Sequence, residues 1–370
     1  MSDRPPTPDL TVRAISATPV VVPLNFVLGT SRGAFRQAAL LLIDLETEEG
    51  VTGRSYIFCY LPAAASAVAS LLREVEAVTK GETADPAALW TKLAGRFALI
   101  GVQGIVRMAM AGFDVACWDA VAIAAGQPLV KILGAEPRPV PAYNSCGLGL
   151  MDDSGALAAE AETLLATGNF KAIKLRLGYP TLARDMAAVK AVRRRVGGDV
   201  ALMVDYNQAL PVEDALARGR ALDSENIYWL EEPIRHDDYA GCARLARELK
   251  TPVQIGENFS LPAGMATALE QAKPDYAMPD LERIGGVTGW RDAAEMAAVN
   301  RIKMSSHLFP EVSAHLLAAT PTCHFLEYVD WADGFLQEPL VIADGHAMVP
   351  ARAGNGMIWD QDAVKRFRLN

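Results

Sequence analysis

No apolar run in this 370-residue chain approaches the roughly 18 consecutive residues that a membrane-spanning helix needs. The start, MSDRPPTPDL, is polar and proline-rich, which argues against a signal peptide. There is no basic cluster and the formal net charge is −9, so neither nucleic acid nor an anionic membrane is an expected partner. Paired cysteines are missing too: Cys59, Cys117, Cys146, Cys242 and Cys323 are scattered, odd in number and without a CxxC spacing. That usage excludes a disulfide framework and a cysteine-bound zinc, and it points to a reducing, cytoplasmic setting. Low-complexity stretches and tandem repeats are absent. What remains is 51% apolar and 21% charged residues, which supplies a large core and leaves no compositional ground for disorder. At about 150 residues per domain, the length predicts two domains.

The rhythm along the chain changes near residue 139. Before it, segments 12–24 and 38–46 read as strands, and the alanine-rich stretches 62–79 and 103–126 have helical periodicity. After it, short apolar strands alternate with alanine-rich helical segments. The strands are VPAYNS (140–145), KAIKLRL (171–177), VALMVDYN (200–207), IYWLEEP (227–233), PVQIGEN (252–258), YAMPD (276–280), KMSSHLF (303–309) and CHFLEYV (323–329). Helices are expected over 182–196, 212–223, 239–249, 262–271 and 288–299, with a shorter last crossover at 311–319. Such alternation predicts an α/β fold, a parallel TIM-type (β/α)8 barrel. The tail from about 336 is expected to pack back on the N-terminal part.

One strand carries an oddity. In KAIKLRLG, alternation puts Ile173, Leu175 and Leu177 on one face and Lys174 and Arg176 on the other. Two cations side by side need something anionic opposite them. Lysine can be tuned toward neutrality and arginine cannot, so the two are not interchangeable as bases.

In such a barrel the chemistry sits at the C-terminal ends of the strands. Those ends carry Lys174, Arg176, Asp205, Asn207, Glu231, Glu257, Asp280, His307 and Glu327. Asp205, Glu231 and Glu257 each lie 26 positions from the next, one barrel unit apart. Brought together, three carboxylates repel unless a cation neutralises them. An all-oxygen set without Cys or His selects a hard cation, Mg²⁺ or Mn²⁺. Any one acid alone would equally suit a salt bridge to a loop lysine; the regular triple favours the metal. His307 and Asp280 end neighbouring strands, so the carboxylate is placed to fix the imidazole tautomer and leave the other nitrogen as a base. His236, His315, His324 and His346 have no such placement and are read as structural. Glu327, held protonated, would donate to a developing oxyanion. A salt bridge to Lys174 satisfies its spacing as well.

MVDYNQAL, WLEEP, PVQIGENF, AMPDLERIGGVTGW, MSSHLFPEVSAHLLAATPT and FLEYVD, with PLVKILGA before the barrel, together resemble the mandelate racemase branch of the enolase superfamily. The resemblance covers nearly the whole chain in order. It implies a modified (β/α)7β barrel over residues 136–335 and an α+β capping domain over 1–135, completed by 336–370. It implies that Asp205, Glu231 and Glu257 bind Mg²⁺, which chelates the carboxylate and α-hydroxyl of a small-molecule carboxylate substrate. His307 with Asp280 is then the base on one face of the α-carbon and Glu327 the electrophilic acid. Lys174 is a second cation on the carboxylate, and Asn207 contacts the α-oxygen.

The chain departs from that pattern at Arg176, where the resemblance implies a lysine base for the opposite face. Racemisation needs two groups able to titrate, and arginine does not readily titrate. The expectation is therefore dehydration of an acid sugar, with His307 removing the α-proton and then assisting loss of a β-hydroxyl. A racemase or epimerase is the alternative, and a catalytically silent binding member the second. Arg176 would bind a substrate oxygen or polarise the carboxylate. Arg32, in the capping segment NFVLGTSRGAF (25–35), Tyr56 with Phe58 as an aromatic lid, and Ser145, closing the first barrel strand, are expected at the substrate. Tyr328 and Val329 are expected to line the same pocket. A homo-oligomer is the expected assembly.

Overall fold

The computed structural model describes residues 9–369; the polar start (1–8) and Asn370, on which the reading of the N-terminus partly rests, lie outside them. The chain begins with a three-stranded antiparallel sheet of β1 (Val12–Thr30), β2 (Gly33–Thr47) and β3 (Thr52–Phe58) in that order. Period-two alternation sends successive side chains to opposite faces, and here both faces are buried. Leu41, Ile43, Leu45 and Ile57 pack with α1 (Pro62–Thr79), α2 (Pro86–Arg96) and α3 (Gly104–Ala124) in a core of their own. Leu40, Leu42, Tyr56 and Phe58 belong instead to the large core shared with the rest of the chain. The sheet is thus a slab between three helices and a barrel. Helix α2 starts as its sequence dictates: the Asp85 side chain accepts from Ala88 N, and Pro86 takes a first-turn position where no N–H is needed.

After α4 (Leu129–Ile132) the alternation takes over. The strands are β4 (Pro139–Asn144), β5 (Ala172–Arg176), β6 (Ala201–Asp205), β7 (Ile227–Glu231), β8 (Val253–Ile255), β9 (Tyr276–Ala277), β10 (Lys303–Met304) and β11 (Leu326–Tyr328). Between them run α5 (Ser154–Ala166), α6 (Leu182–Val196), α7 (Val212–Leu222), α8 (Tyr239–Glu248), α9 (Leu261–Gln271), the pair α10 (Leu281–Ile284) and α11 (Gly286–Asn300), and α12 (Pro310–Ala319). Parallel pairing runs β10-β9-β8-β7-β6-β5-β4-β11. Ser306 N donates to Phe325 O at 3.0 Å across the remaining gap, between β10 and β11. Seven helical crossovers and a strand without one make the (β/α)7β form. Strands β9 and β10 are shorter than the apolar runs suggested, although α10 and α12 begin directly after those runs.

The tail, β12 (Ile342–Ala343), β13 (His346–Met348) and α13 (Gln361–Phe367), is shared between the two parts. Trp359 Nε1 donates to Asp44 Oδ1 at 2.8 Å and α13 packs on β1. Strand β13 pairs instead with the start of β4, at the foot of the barrel, which the sequence did not reveal. Among the described residues no helix is long and apolar enough to cross a membrane.

The β1–β2 hairpin lies across the barrel mouth. Asn25 Nδ2 donates to Asp330 Oδ2 (2.8 Å), Leu150 N to Gly29 O (2.8 Å), and Ser31 Oγ to Tyr206 O (2.9 Å). The crossing requires glycine at 149, where a Cβ would sit 2.2 Å from Gly29 N. Gly149→Ala should lower stability by ~1–3 kcal/mol. It should also expose segment 24–33 to protease; an unchanged melting temperature and cleavage pattern would contradict this packing.

Candidate active site

Strand alternation carries Ala172 and Lys174 into the barrel interior, where Ala172 joins Tyr143, Met203 and Trp229 in an apolar floor. Lys174 is 2% exposed and its ammonium lies above the Tyr143 ring, 5.6 Å from the centroid. It stands 2.6 Å from Glu231 Oε1, 2.7 Å from Glu327 Oε1 and 3.6 Å from Asp205 Oδ2. Burial pulls the Lys174 ammonium toward neutrality, but these three carboxylates outweigh it and hold it above its ordinary value.

The acids pay heavily for that position. Burial raises Asp205, with Glu257 adding to the shift, and it pushes Glu231 up to about 8 although Lys174 opposes it. The three expected metal ligands sit on adjacent strands, and Asp205 and Glu231 are level in the β6–β7 register. They are nevertheless not gathered into one cluster. Among the described residues no set of three His, Cys, Asp or Glu side chains is close enough to hold a metal ion. Asp205 and Glu231 turn to Lys174, while Glu257 Oε2 turns to His307 Nε2 at 3.3 Å. The physical reason is charge: each acid takes the nearest cation the chain offers. Glu232, 1% exposed and bonded to Asn258 Nδ2 at 3.0 Å, adds a further buried acid beside them. So dense a set of carboxylates, with one lysine among it and burial working against their charge, suits a divalent hard cation. Asn207 Oδ1, buried and without a partner, is one more oxygen donor at this place.

His307 and Asp280 come together as expected. His307 Nδ1 lies 2.7 Å from Asp280 Oδ2, while Asp280 Oδ1 accepts from the backbone of Glu282 (2.9 Å) and Arg283 (3.0 Å) at the start of α10. One carboxylate thus caps a helix and orients the imidazole. Leu308 and Phe309, the residues after His307, both adopt the left-handed backbone region, at φ 53° and 51°. For bulky side chains that is strained, at a cost of ~1 kcal/mol or more each. Burial lowers the His307 pKa, but Glu257, the Asp280 hydrogen bond and Glu327 together raise it to about 9. The other histidines are occupied elsewhere. His324 bonds Tyr228 OH at 2.8 Å under the barrel, and His315 bonds Asn355 O at 3.1 Å. His236 meets Gln208 Oε1 and His346 meets Asp344 O.

Several expectations need correction. Burial would raise the Glu327 carboxyl, but Lys174, His307 and Arg176 hold it well below the usual carboxylate range. It also accepts from Ser145 Oγ (2.7 Å) and Leu308 N (2.9 Å). The salt bridge to Lys174 is the arrangement present. Arg176 shares the inward face with Lys174, yet its Nη1 donates to Ser145 O (3.0 Å) and Gly147 O (2.5 Å) and its Nη2 to Ser145 Oγ (2.7 Å). Its Nε is buried and unpartnered. The Ser145 hydroxyl therefore gives its one proton to Glu327 and accepts from Arg176. Arg32 spends its guanidinium on the carbonyls of Asn207 (3.1 Å) and Gln208 (2.6 Å), closing the hairpin tip onto the β6 loop. Tyr56 is in no loop: it is buried on β3, its hydroxyl donated to Glu311 Oε2 at 2.7 Å. Asn207 Nδ2 donates to Asp205 Oδ2 at 2.9 Å. Tyr328 gives its hydroxyl to Asp333 (3.0 Å), and Val329 is buried in the core.

Sequence reasoning missed Tyr60 and Arg283. Tyr60 packs tilted against Phe58 with centroids 4.2 Å apart, and Phe58 meets Trp331 at 4.8 Å. Arg283 ties the Tyr60 hydroxyl (2.6 Å) to the backbone oxygen of Glu257 (3.2 Å). The doubled acid of LEEP was the available sign of Glu232.

A family model described as mandelate racemase / muconate lactonizing enzyme, N-terminal domain, matches residues 12–134, and one described as enolase C-terminal domain-like matches residues 156–363. The 3,6-anhydro-alpha-L-galactonate cycloisomerase of Streptomyces coelicolor is 30% identical over 92% of this chain and 94% of its own length. The L-talarate/galactarate dehydratase of Salmonella typhimurium is 29% identical over 96% of this chain and 90% of its own. A crystal structure described as an enolase from Bradyrhizobium, complexed with magnesium and mandelic acid, superposes with a TM-score of 0.93 at 37% identity. It covers 98% of this chain and 99% of that one.

Proposed function

Because the chain belongs to the mandelate racemase / muconate lactonizing enzyme family of the enolase superfamily, we propose that it is a Mg²⁺-dependent enzyme that removes the α-proton of a 2-hydroxycarboxylate. Its net reaction is dehydration of an acid sugar. The observation that carries this reading is the asymmetry of the two barrel sides. On one, His307 is oriented by Asp280 at 2.7 Å. On the other, Arg176 has both terminal nitrogens committed to Ser145 and Gly147. A chain with one titratable base exchanges the α-proton on one face only.

Asp205, Glu231 and Glu257 would hold the cation, which supplies Lewis-acid neutralisation of the charge that develops as the α-proton leaves. Mn²⁺ would serve the same donor set. Glu257, the carboxylate that most raises the His307 pKa, would then be shared with the cation, which would favour His307 as a neutral base. Lys174, released by Glu231 and Asp205, meets the substrate carboxylate. Glu327, which shared that ammonium, then has less reason to stay ionised and is set to hold a proton on the same carboxylate. Arg176 Nε and Asn207 Oδ1, an unpartnered donor and an unpartnered acceptor, suit substrate hydroxyls. His307, once protonated, delivers the proton to the departing β-hydroxyl. The relatives support a dehydratase no more than a cycloisomerase in name. The single base is what favours dehydration over racemisation.

The test is incubation in D₂O with Mg²⁺ and a panel of acid sugars and aryl 2-hydroxy acids, scoring 2-keto product and α-deuterium. Keto product from one α-configuration is the expected result. Deuterium exchange with inversion would sink the dehydratase reading and leave a racemase.

A further inference from the structure

The two members of the His307–Asp280 pair stand on different barrel loops, and both loops are tied to a single strand of the cap. Strand β3 presents alternate residues to opposite sides. Ser55 and Ile57 face the cap helices: Ser55 Oγ donates to Gly112 O at 2.6 Å and Ile57 packs in the cap core. Tyr56 and Phe58 face the barrel. Tyr56 OH donates to Glu311 Oε2 at 2.7 Å, four residues after His307, and its ring lies 5.3 Å from that of Phe309. The Phe58 backbone N–H donates to Glu282 Oε1, two residues after Asp280. Glu282 and Glu311 are 4% and 3% exposed, so neither contact is a chance surface pairing. The Asp280 side is braced again where the Thr288 N–H donates to Asp114 Oδ2 at 2.9 Å from α3.

We propose that β3 is the rail that sets the distance between His307 and Asp280, with Tyr56 as a positioning residue that acts through Glu311. The inference rests on the reading of that pair as the base. Residues 56 and 58 fix their two loops at one strand repeat from each other, and Phe309, wedged against Tyr56, sits in the strained left-handed turn that aims His307. Without the Tyr56 hydroxyl, Glu311 has no hydrogen-bond partner on either oxygen, since Oε1 already has none. The helix α12 end then has cause to shift, and His307 moves with it.

The experiment needs no substrate. In the full chain labelled with ¹⁵N-histidine, the proton that His307 Nδ1 shares with Asp280 should give a downfield signal, identified by its loss in His307→Asn. Tyr56→Phe should broaden that signal and speed its exchange with water about tenfold. With a substrate from the D₂O panel, kcat should fall about tenfold with KM nearly unchanged, since a small misplacement of a base costs chemistry rather than binding. Ser55→Ala is the control: it removes a buried hydroxyl from the other face of the same strand, lowers the melting temperature, and should leave the signal alone. Glu311→Gln keeps an acceptor for Tyr56 and should preserve the signal, whereas Glu311→Ala should reproduce the Tyr56→Phe loss. An unchanged signal in both Tyr56→Phe and Glu311→Ala, or an equal loss in Ser55→Ala, overturns the inference. Turnover surviving in His307→Asn overturns instead the reading on which it rests.

Discussion

His307→Asn is expected to lower kcat by about 10²–10⁴-fold, the range a positioned general base supplies, and to abolish α-deuterium incorporation with it. The asparagine amide keeps a donor for Asp280 Oδ2, so the cap of α10, where Asp280 Oδ1 accepts from Glu282 and Arg283, stays intact. What disappears is the second ring nitrogen, which faces Glu257 and Glu327 at 3.3 and 4.0 Å. Loss of both activities together would mark His307 as the single base. Loss of dehydration with exchange retained would assign the α-proton to another group, and Lys174 would then be the one to test. In the wild type, kcat/KM should fall toward acid pH as His307 takes up a proton and ceases to be a base. Its pKa of about 9 is held up chiefly by the Glu257 carboxylate, so the limb belongs below that value once Glu257 is engaged by a cation.

Lys174→Met should cost about 3–5 kcal/mol of stability, measured by denaturant unfolding at neutral pH, because it strands buried charge. Glu231 and Glu327 are 0% and 1% exposed and both share the ammonium, at 2.6 and 2.7 Å. The sign with pH follows from the acids. A carboxyl whose folded pKa lies above its unfolded one, as for Glu231 at about 8 against an ordinary 4.5, weakens the fold as pH rises between those values. Removing the lysine raises the folded value further, so the Glu231 share of the loss against wild type should appear above about pH 8, where only the wild-type carboxyl ionises in the folded state. Mg²⁺ should raise the melting temperature of the variant more than that of wild type, since in wild type it competes with Lys174 for the same oxygens. Saturation to 100-fold over Kd is worth about 2.7 kcal/mol. If Mg²⁺ moves neither protein, the acids do not form a cation site and the metal-dependent chemistry falls.

Much of this site was written in local pattern. The period-two alternation of KAIKLRL put Lys174 and Arg176 on one shared face, and the structure turns that face inward, with Lys174 above the barrel floor. The even spacing of Asp205, Glu231 and Glu257 placed them on adjacent strands, and the polar ends of the sixth and seventh strands brought Asp280 against His307. These are one-dimensional facts: strand period and barrel repeat fix which strand end and which face a residue occupies. The (β/α)7β barrel and its cap were legible for the same reason.

Where a side chain goes once it leaves the strand is decided by partners far away in sequence. Arg176 reaches Ser145 and Gly147, and Lys174 gathers acids from β6, β7 and β11, so Glu327 is salt-bridged to that ammonium. Arg32 was assigned to a ligand and spends its donors on the carbonyls of Asn207 and Gln208. Tyr56 was assigned to a lid and instead anchors the His307 loop through Glu311, 255 residues along the chain. The sequence by itself determined the scaffold, the strand ends and the chemical types available there, because those follow from periodicity. Only the tertiary structure decided how their charges pair. Pairing among buried groups is settled by which opposite charge lies within about 4 Å, and that distance exists only after the barrel and the cap have closed.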